Sequence, residues 1–81
     1  MHYVYLLHSE SRDEYYVGET SNVEQRLASH NLGENISTKH GVPWKLIYFE
    51  AYEDRSAALA REHRLKHHGK GLSELKKRIR R

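Results

Sequence analysis

Three runs in this chain carry the aromatic, β-branched and aliphatic residues that suit extended backbone: Tyr3 to His8, Tyr15 to Glu19 and Trp44 to Tyr52. Three strands are too few to close into a barrel. They must form a small open sheet, and helices must cover its apolar faces. The first two runs are separated by Ser9-Glu10-Ser11-Arg12-Asp13-Glu14, a polar, turn-like stretch, so they read as an antiparallel hairpin with a longer loop.

Helix signals fill the remaining intervals. Ser21-Asn22-Val23-Glu24 has the form of a capping box, in which the serine oxygen accepts from the N3 amide and the glutamate reaches back. The helix that follows is expected to end near Asn31 or Leu32, with Gly33 as its stop. Gly33 to Pro43 reads as a loop. Asp54 caps a second helix running to about His68, and Gly69-Lys70-Gly71 breaks it. Leu72, Leu75 and Ile79 then recur at i, i+3 and i+7, which marks a short final amphipathic helix. The predicted order is β-β-α-β-α-α. It describes an α+β, sandwich-like fold with a small, mostly antiparallel three-stranded sheet flanked by helices.

With 81 residues, one domain over 1–81 is expected. A core this small is thin, so an active site must lie on the surface or in a shallow groove. The absence of cysteine excludes a disulfide framework and a thiolate metal site. The N-terminal apolar run is too short for a signal peptide or a membrane span, which makes a cytoplasmic protein with no membrane partner the default. The net charge of +3 hides an asymmetry. Residues 1–60 hold five Lys/Arg against nine acids, whereas residues 61–81 hold nine Lys/Arg against Glu62 and Glu74. A basic tail over 71–81 on an acidic body suggests an anionic partner, nucleic acid first. A merely solvated helix face would give the same composition.

Polar residues that interrupt an apolar pattern are the candidates for chemistry. In the second helix Glu62 falls between Ala58, Leu59 and Leu65, an acid amid an apolar stripe. A carboxylate buried there needs a partner, which a bound cation or Lys66 at i+4 would supply. In the first helix Arg26 and His30 share one column beside the stripe of Val23 and Leu27, where both could meet phosphate; a snorkelling arginine and a satisfied core histidine are the plainer alternative. Tyr3 and Tyr5 alternate onto one sheet face. His63 and His67 have i, i+4 spacing, but no third ligand follows at a familiar interval and no phosphate-binding glycine loop is present.

Together these residues resemble the GIY-YIG nuclease family. Tyr3-Val4-Tyr5 looks like its first tripeptide, with Tyr3 in place of the glycine, and Tyr16-Val17-Gly18 looks like its second, with ten residues between them. Arg26 and His30 fall in the following helix, where the family carries an arginine and often a histidine, and Glu62 falls where it carries its metal-binding glutamate. The likeness spans Tyr3 to about Ile79 and is closest to the small stand-alone bacterial members. It implies a divalent-metal-dependent endonuclease that hydrolyses phosphodiesters of nucleic acid, DNA in the first instance, with Tyr5, Tyr16, Arg26, His30 and Glu62 as catalytic residues. Glu62 would hold one Mg²⁺ or Mn²⁺ that stabilises the leaving 3′-oxygen. Arg26 would clamp the phosphate, Tyr5 would act as general base, Tyr16 would bond the water or phosphate, and His30 would add to the positive field. Gly18 would let the chain turn close to substrate. Lys66, Lys76, Lys77, Arg78, Arg80 and Arg81 would contact the nucleic-acid backbone. Glu19 departs from members that carry a lysine after the second tripeptide, and an acid there repels phosphate unless it turns away. That leaves a second reading, a nucleic-acid-binding module that cleaves weakly or not at all.

Overall fold

A computed structural model describes residues 1–79 of the chain. The order of elements is as expected: β1 (His2–Ser9), β2 (Glu14–Thr20), α1 (Val23–Asn31), β3 (Trp44–Tyr52), α2 (Arg55–His67) and α3 (Gly69–Ile79). All pairings are antiparallel, in the spatial order β2-β1-β3. The hairpin places its first strand in the centre, and β3 returns to pair with that strand's free edge.

Because side chains alternate across a strand, β1 feeds two different faces. Val4 and Leu6 point to one, where they meet Val17 of β2, Ala58 and Leu65 of α2 and Leu75 of α3 in a dry cluster. Tyr5 and Leu7 point to the other, where they meet Trp44 together with Tyr16, Leu27, Val42 and Leu46. The β1–β3 register slips between Leu6, which faces Tyr48, and Leu7, which faces Leu46. The extra residue, Ile47, forms a bulge that lets Ile47 and Tyr48 both join the first cluster.

The helix boundaries differ from expectation in two places. The N-cap of α1 is Asn22, not Ser21: its side-chain oxygen accepts from the Gln25 amide at 3.1 Å. Asparagine caps as well as serine does, and β2 continues through Thr20, whose hydroxyl holds the Asn22 backbone amide at 3.1 Å. The break between α2 and α3 is the single residue His68, and Gly69 already belongs to α3. Gly33 is the stop it was expected to be. It lies at φ 75°, and its amide and that of Glu34 close the helix onto the His30 and Ser29 carbonyls.

The connection from α1 to β3 is tied down at three points. Lys39–Gly41 form a short 3₁₀ turn. The Asn31 amide group brackets the Trp44 backbone, accepting from its N–H at 2.6 Å and donating to its carbonyl at 3.0 Å. The Trp44 indole N–H donates to the Thr38 carbonyl at 2.7 Å. No helix among the described residues is long and apolar enough to cross a membrane.

Candidate active site

The site is built around the Tyr5 hydroxyl. Tyr5 lies in the central strand opposite Gly18, and a Cβ on Gly18 would sit 2.3 Å from the Tyr5 hydroxyl oxygen. Glycine is therefore needed in β2 because the tyrosine ring lies across it. This corrects the expectation that Gly18 turns the chain towards substrate: it is buried, inside a regular strand, and covered by Tyr5.

His30 corrects a second expectation. It shares a helix column with Arg26, yet it is fully buried whereas Arg26 stays half-exposed. Its Nε2 lies 2.9 Å from the Tyr5 hydroxyl and its Nδ1 lies 2.8 Å from the Thr38 hydroxyl. Burial, with help from the Arg26 charge, holds its pKa below the ordinary histidine value. A buried, neutral imidazole neither touches phosphate nor adds to a positive field. Burial also pushes the Tyr5 hydroxyl up to about 12; the Arg26 guanidinium beside it pulls the other way, and the charges of Tyr16 and Glu62 add to the rise.

Tyr16 packs against both residues, its ring centroid 6.3 Å from that of Tyr5 and 5.0 Å from that of His30. Helix α2 lies over the other face of the sheet, but β2 is an edge strand, and one side of α2 reaches round it. The Lys66 ammonium sits 5.2 Å from the centre of the Tyr16 ring and 3.2 Å from a Glu62 carboxylate oxygen. Glu62 is thus not a partnerless acid in an apolar stripe. The buried seam of α2 runs through Ala58 and Leu65, Leu59 is 39% exposed, and Glu62 lies at the border of that seam, paired with Lys66. Glu19 turns away from Tyr5. As the cross-strand partner of Val4 it faces the α2 side, 3.5 Å from His2 and 3.8 Å from Arg55.

Tyr5, Tyr16, Arg26, His30 and Glu62 are thereby brought into one neighbourhood from four elements. The described part of the basic tail is not. Lys76 lies over the Tyr15 ring, 4.2 Å from its centre, on the sheet face that Tyr5 does not share. Lys77 and Arg78 are exposed on α3. Arg80 and Arg81 lie outside the described residues. Sequence reasoning missed Thr38, which is 1% exposed in the buried bond chain. It sits in an aperiodic polar loop, where no pattern marks an inward side chain.

This constellation, on a β2-β1-β3 sheet with its tyrosines and glycine in facing strands, defines a nuclease-type fold. The sequence profile of the GIY-YIG catalytic domain matches residues 1–76, and the chain belongs to that family. It is 44% identical to a UPF0213 protein of Haloquadratum walsbyi over 66 residues, covering 80% of this chain and 73% of that one. With a UPF0213 protein of Natronomonas pharaonis it shares 42% identity over 77 residues, 94% of this chain and 85% of the relative. Among solved structures it resembles the solution NMR structure of a UPF0213 protein from Bacillus halodurans. The TM-score is 0.59 at 26% identity, with 98% of this chain and 86% of that chain covered.

Proposed function

We propose that the chain is a divalent-metal-dependent endonuclease that hydrolyses phosphodiester bonds in nucleic acid, with DNA as the substrate, and that residues 1–81 act as one catalytic domain. The observation that carries the proposal is the meeting of Tyr5, Tyr16, Arg26 and Glu62 around one hydroxyl, although they come from four elements. Proteins with this domain generally depend on a divalent cation. Glu62 suits one: it is half-exposed and already attracts a cation, Lys66. Mg²⁺ and Mn²⁺ sites of this kind use one or two carboxylates and several waters. When bound, such an ion would supply charge neutralisation at the phosphate and its leaving oxygen.

The chain's own residues supply the rest. Arg26, with its forked donors, grips the phosphate beside Tyr5. Tyr5 accepts a proton from the attacking water as its own proton passes to His30 Nε2. The water oxygen bonds to phosphorus, the bond to the 3′-oxygen breaks, solvent protonates the leaving oxygen, and His30 returns its proton through Tyr5 to solvent once the product has left. The relay matters because a lone phenolate is costly at this buried hydroxyl, whose pKa lies near 12. Tyr16 orders the water or a phosphate oxygen. Lys77, Arg78 and the following arginines add sequence-independent affinity for the polymer.

The test is to incubate purified protein with duplex, branched and single-stranded substrates in Mg²⁺, Mn²⁺ or chelator, beside Glu62→Ala. Cleavage is expected only with metal, and Glu62→Ala should abolish it. Equal rates for Glu62→Ala and the native protein would overturn the proposal. One observation favours a second reading, a binding module without cleavage: Tyr5 is only 2% exposed. Salt-sensitive binding without metal-dependent cleavage of any substrate would establish that reading instead.

A further inference from the structure

The buried bond chain that begins at Tyr5 does not end at His30. It continues into the loop between α1 and β3, through Thr38. Tyr5, His30 and Thr38 are 2%, 0% and 1% exposed, so water does not complete these bonds from outside. We propose that Thr38 is a positioning residue of the site: its hydroxyl fixes His30 as the Nδ1-protonated tautomer and so keeps Nε2 an acceptor facing the Tyr5 hydroxyl. The geometry stands by itself, while the catalytic consequence rests on the nuclease reading above.

The donor and acceptor roles follow from the far end of the chain. A backbone carbonyl only accepts, so the Thr38 hydroxyl, 3.4 Å from the Asn35 carbonyl oxygen, donates there. That leaves the Thr38 oxygen as acceptor towards His30 Nδ1 at 2.8 Å, and Nδ1 must carry the hydrogen. A neutral imidazole has one N–H, so Nε2 is bare and the Tyr5 hydroxyl donates to it across 2.9 Å. The near end agrees. The Arg26 guanidinium beside Tyr5 can only donate, so it offers the phenolic hydrogen no acceptor, whereas His30 Nε2 lies 2.9 Å away. With the other tautomer, the Thr38 hydroxyl would have to leave Asn35, and the Tyr5 hydrogen would lose its buried acceptor.

Thr38 is also held so that its hydroxyl cannot drift. Its amide donates to the Asn35 carbonyl at 3.1 Å, and its carbonyl accepts from the Gly41 amide at 3.1 Å and from the Trp44 indole at 2.7 Å. Trp44 is in turn bracketed by Asn31 of α1, the helix that carries His30. The loop, the start of β3 and the end of α1 thus form one frame around the imidazole. Its chemical effect is to keep Nε2 free to take a proton from Tyr5, which a protonated Nε2 could not do.

The test is ¹⁵N NMR of the His30 ring in the full chain at neutral pH, with Thr38→Val and Thr38→Ser. The native protein and Thr38→Ser should show a protonated Nδ1 and an unprotonated Nε2. Thr38→Val, with no oxygen to accept from Nδ1, should shift towards the Nε2-protonated form. In single-turnover cleavage Thr38→Val should be slower by on the order of 10²-fold with unchanged substrate binding, and Thr38→Ser should restore the rate. An Nε2-protonated ring in the native protein overturns the inference, as does a Thr38→Val spectrum identical to the native one. Where Thr38→Val does not fold, the native and Thr38→Ser spectra decide: matching Nδ1-protonated rings support it, and a Thr38→Ser ring protonated at Nε2 overturns it. The predicted tautomers in a protein that cleaves nothing would support the inference while removing the nuclease reading.

Discussion

The two faces of the sheet are built from the same three strands and serve opposite ends. The face carrying Val4, Leu6 and Val17 is covered by α2 and α3 and closes into a dry apolar cluster with Ala58, Leu65 and Leu75. The face carrying Tyr5 is covered by α1 and the loop after it, and beside the apolar Leu7 and Trp44 it buries a polar bond chain of Tyr5, His30 and Thr38, with Trp44 anchored to the Thr38 carbonyl. A buried polar chain contributes less to stability than apolar packing does, but it holds side chains in one arrangement. Substitutions should therefore register in folding on the first face and in chemistry on the second.

The largest effect on folding is expected at Leu65, which is 2% exposed between α2 and the sheet. Leu65→Ala should lower unfolding free energy by roughly 2–5 kcal/mol in denaturant titration, while cleavage per folded molecule stays near native. A loss of turnover without a loss of stability would break the division between faces.

Gly18→Ala sharpens it from the other side. The added methyl meets the Tyr5 ring and hydroxyl, and over-packing of this kind costs about 1–3 kcal/mol. The ring must move, so the Tyr5–His30 bond should be lost and turnover should fall far more than stability does. Native turnover in Gly18→Ala would show that the position of Tyr5 is immaterial.

The outline of the fold was legible because each strand and helix announces itself locally. The hairpin, the Gly33 stop, the Asp54 cap and the long third strand all stand where their residue types put them. The bulge at Ile47 was not legible, since it depends on which β1 residue lies opposite. The same limit applies to the site. Tyr5, Tyr16, Arg26 and Glu62 could be picked out by their likeness to the family's motifs, since type and spacing alone also suited structural roles, but their environments could not. Helix periodicity puts Arg26 and His30 on one column without revealing that the loop carrying Thr38 buries His30 and leaves Arg26 half-exposed. It puts Glu62 near an apolar stripe without revealing that Leu59 faces solvent, and of the two partners the i, i+4 spacing and the burial argument offered the acid, the structure shows Lys66.

The smallest effect concerns α3, whose Lys77 and Arg78 are exposed while Leu75 anchors the helix in the apolar cluster. Replacing both with alanine should leave the melting temperature within about 4 °C, since exposed sites away from packing change stability little. Nucleic-acid affinity should fall alike for all sequences, and the slope of log K against log salt should drop by about 1 for each phosphate that is no longer neutralised. An unchanged slope would make the basic helix a solubilising surface only.

The proposed chemistry runs through the Tyr5 hydroxyl, and Tyr5→Phe removes that one oxygen while leaving the ring on Gly18. In single-turnover cleavage of a DNA substrate with Mg²⁺, Tyr5→Phe should be slower by about 10²–10⁴-fold with nearly unchanged substrate binding. A Tyr5→Phe protein that cleaves at the native rate would contradict it.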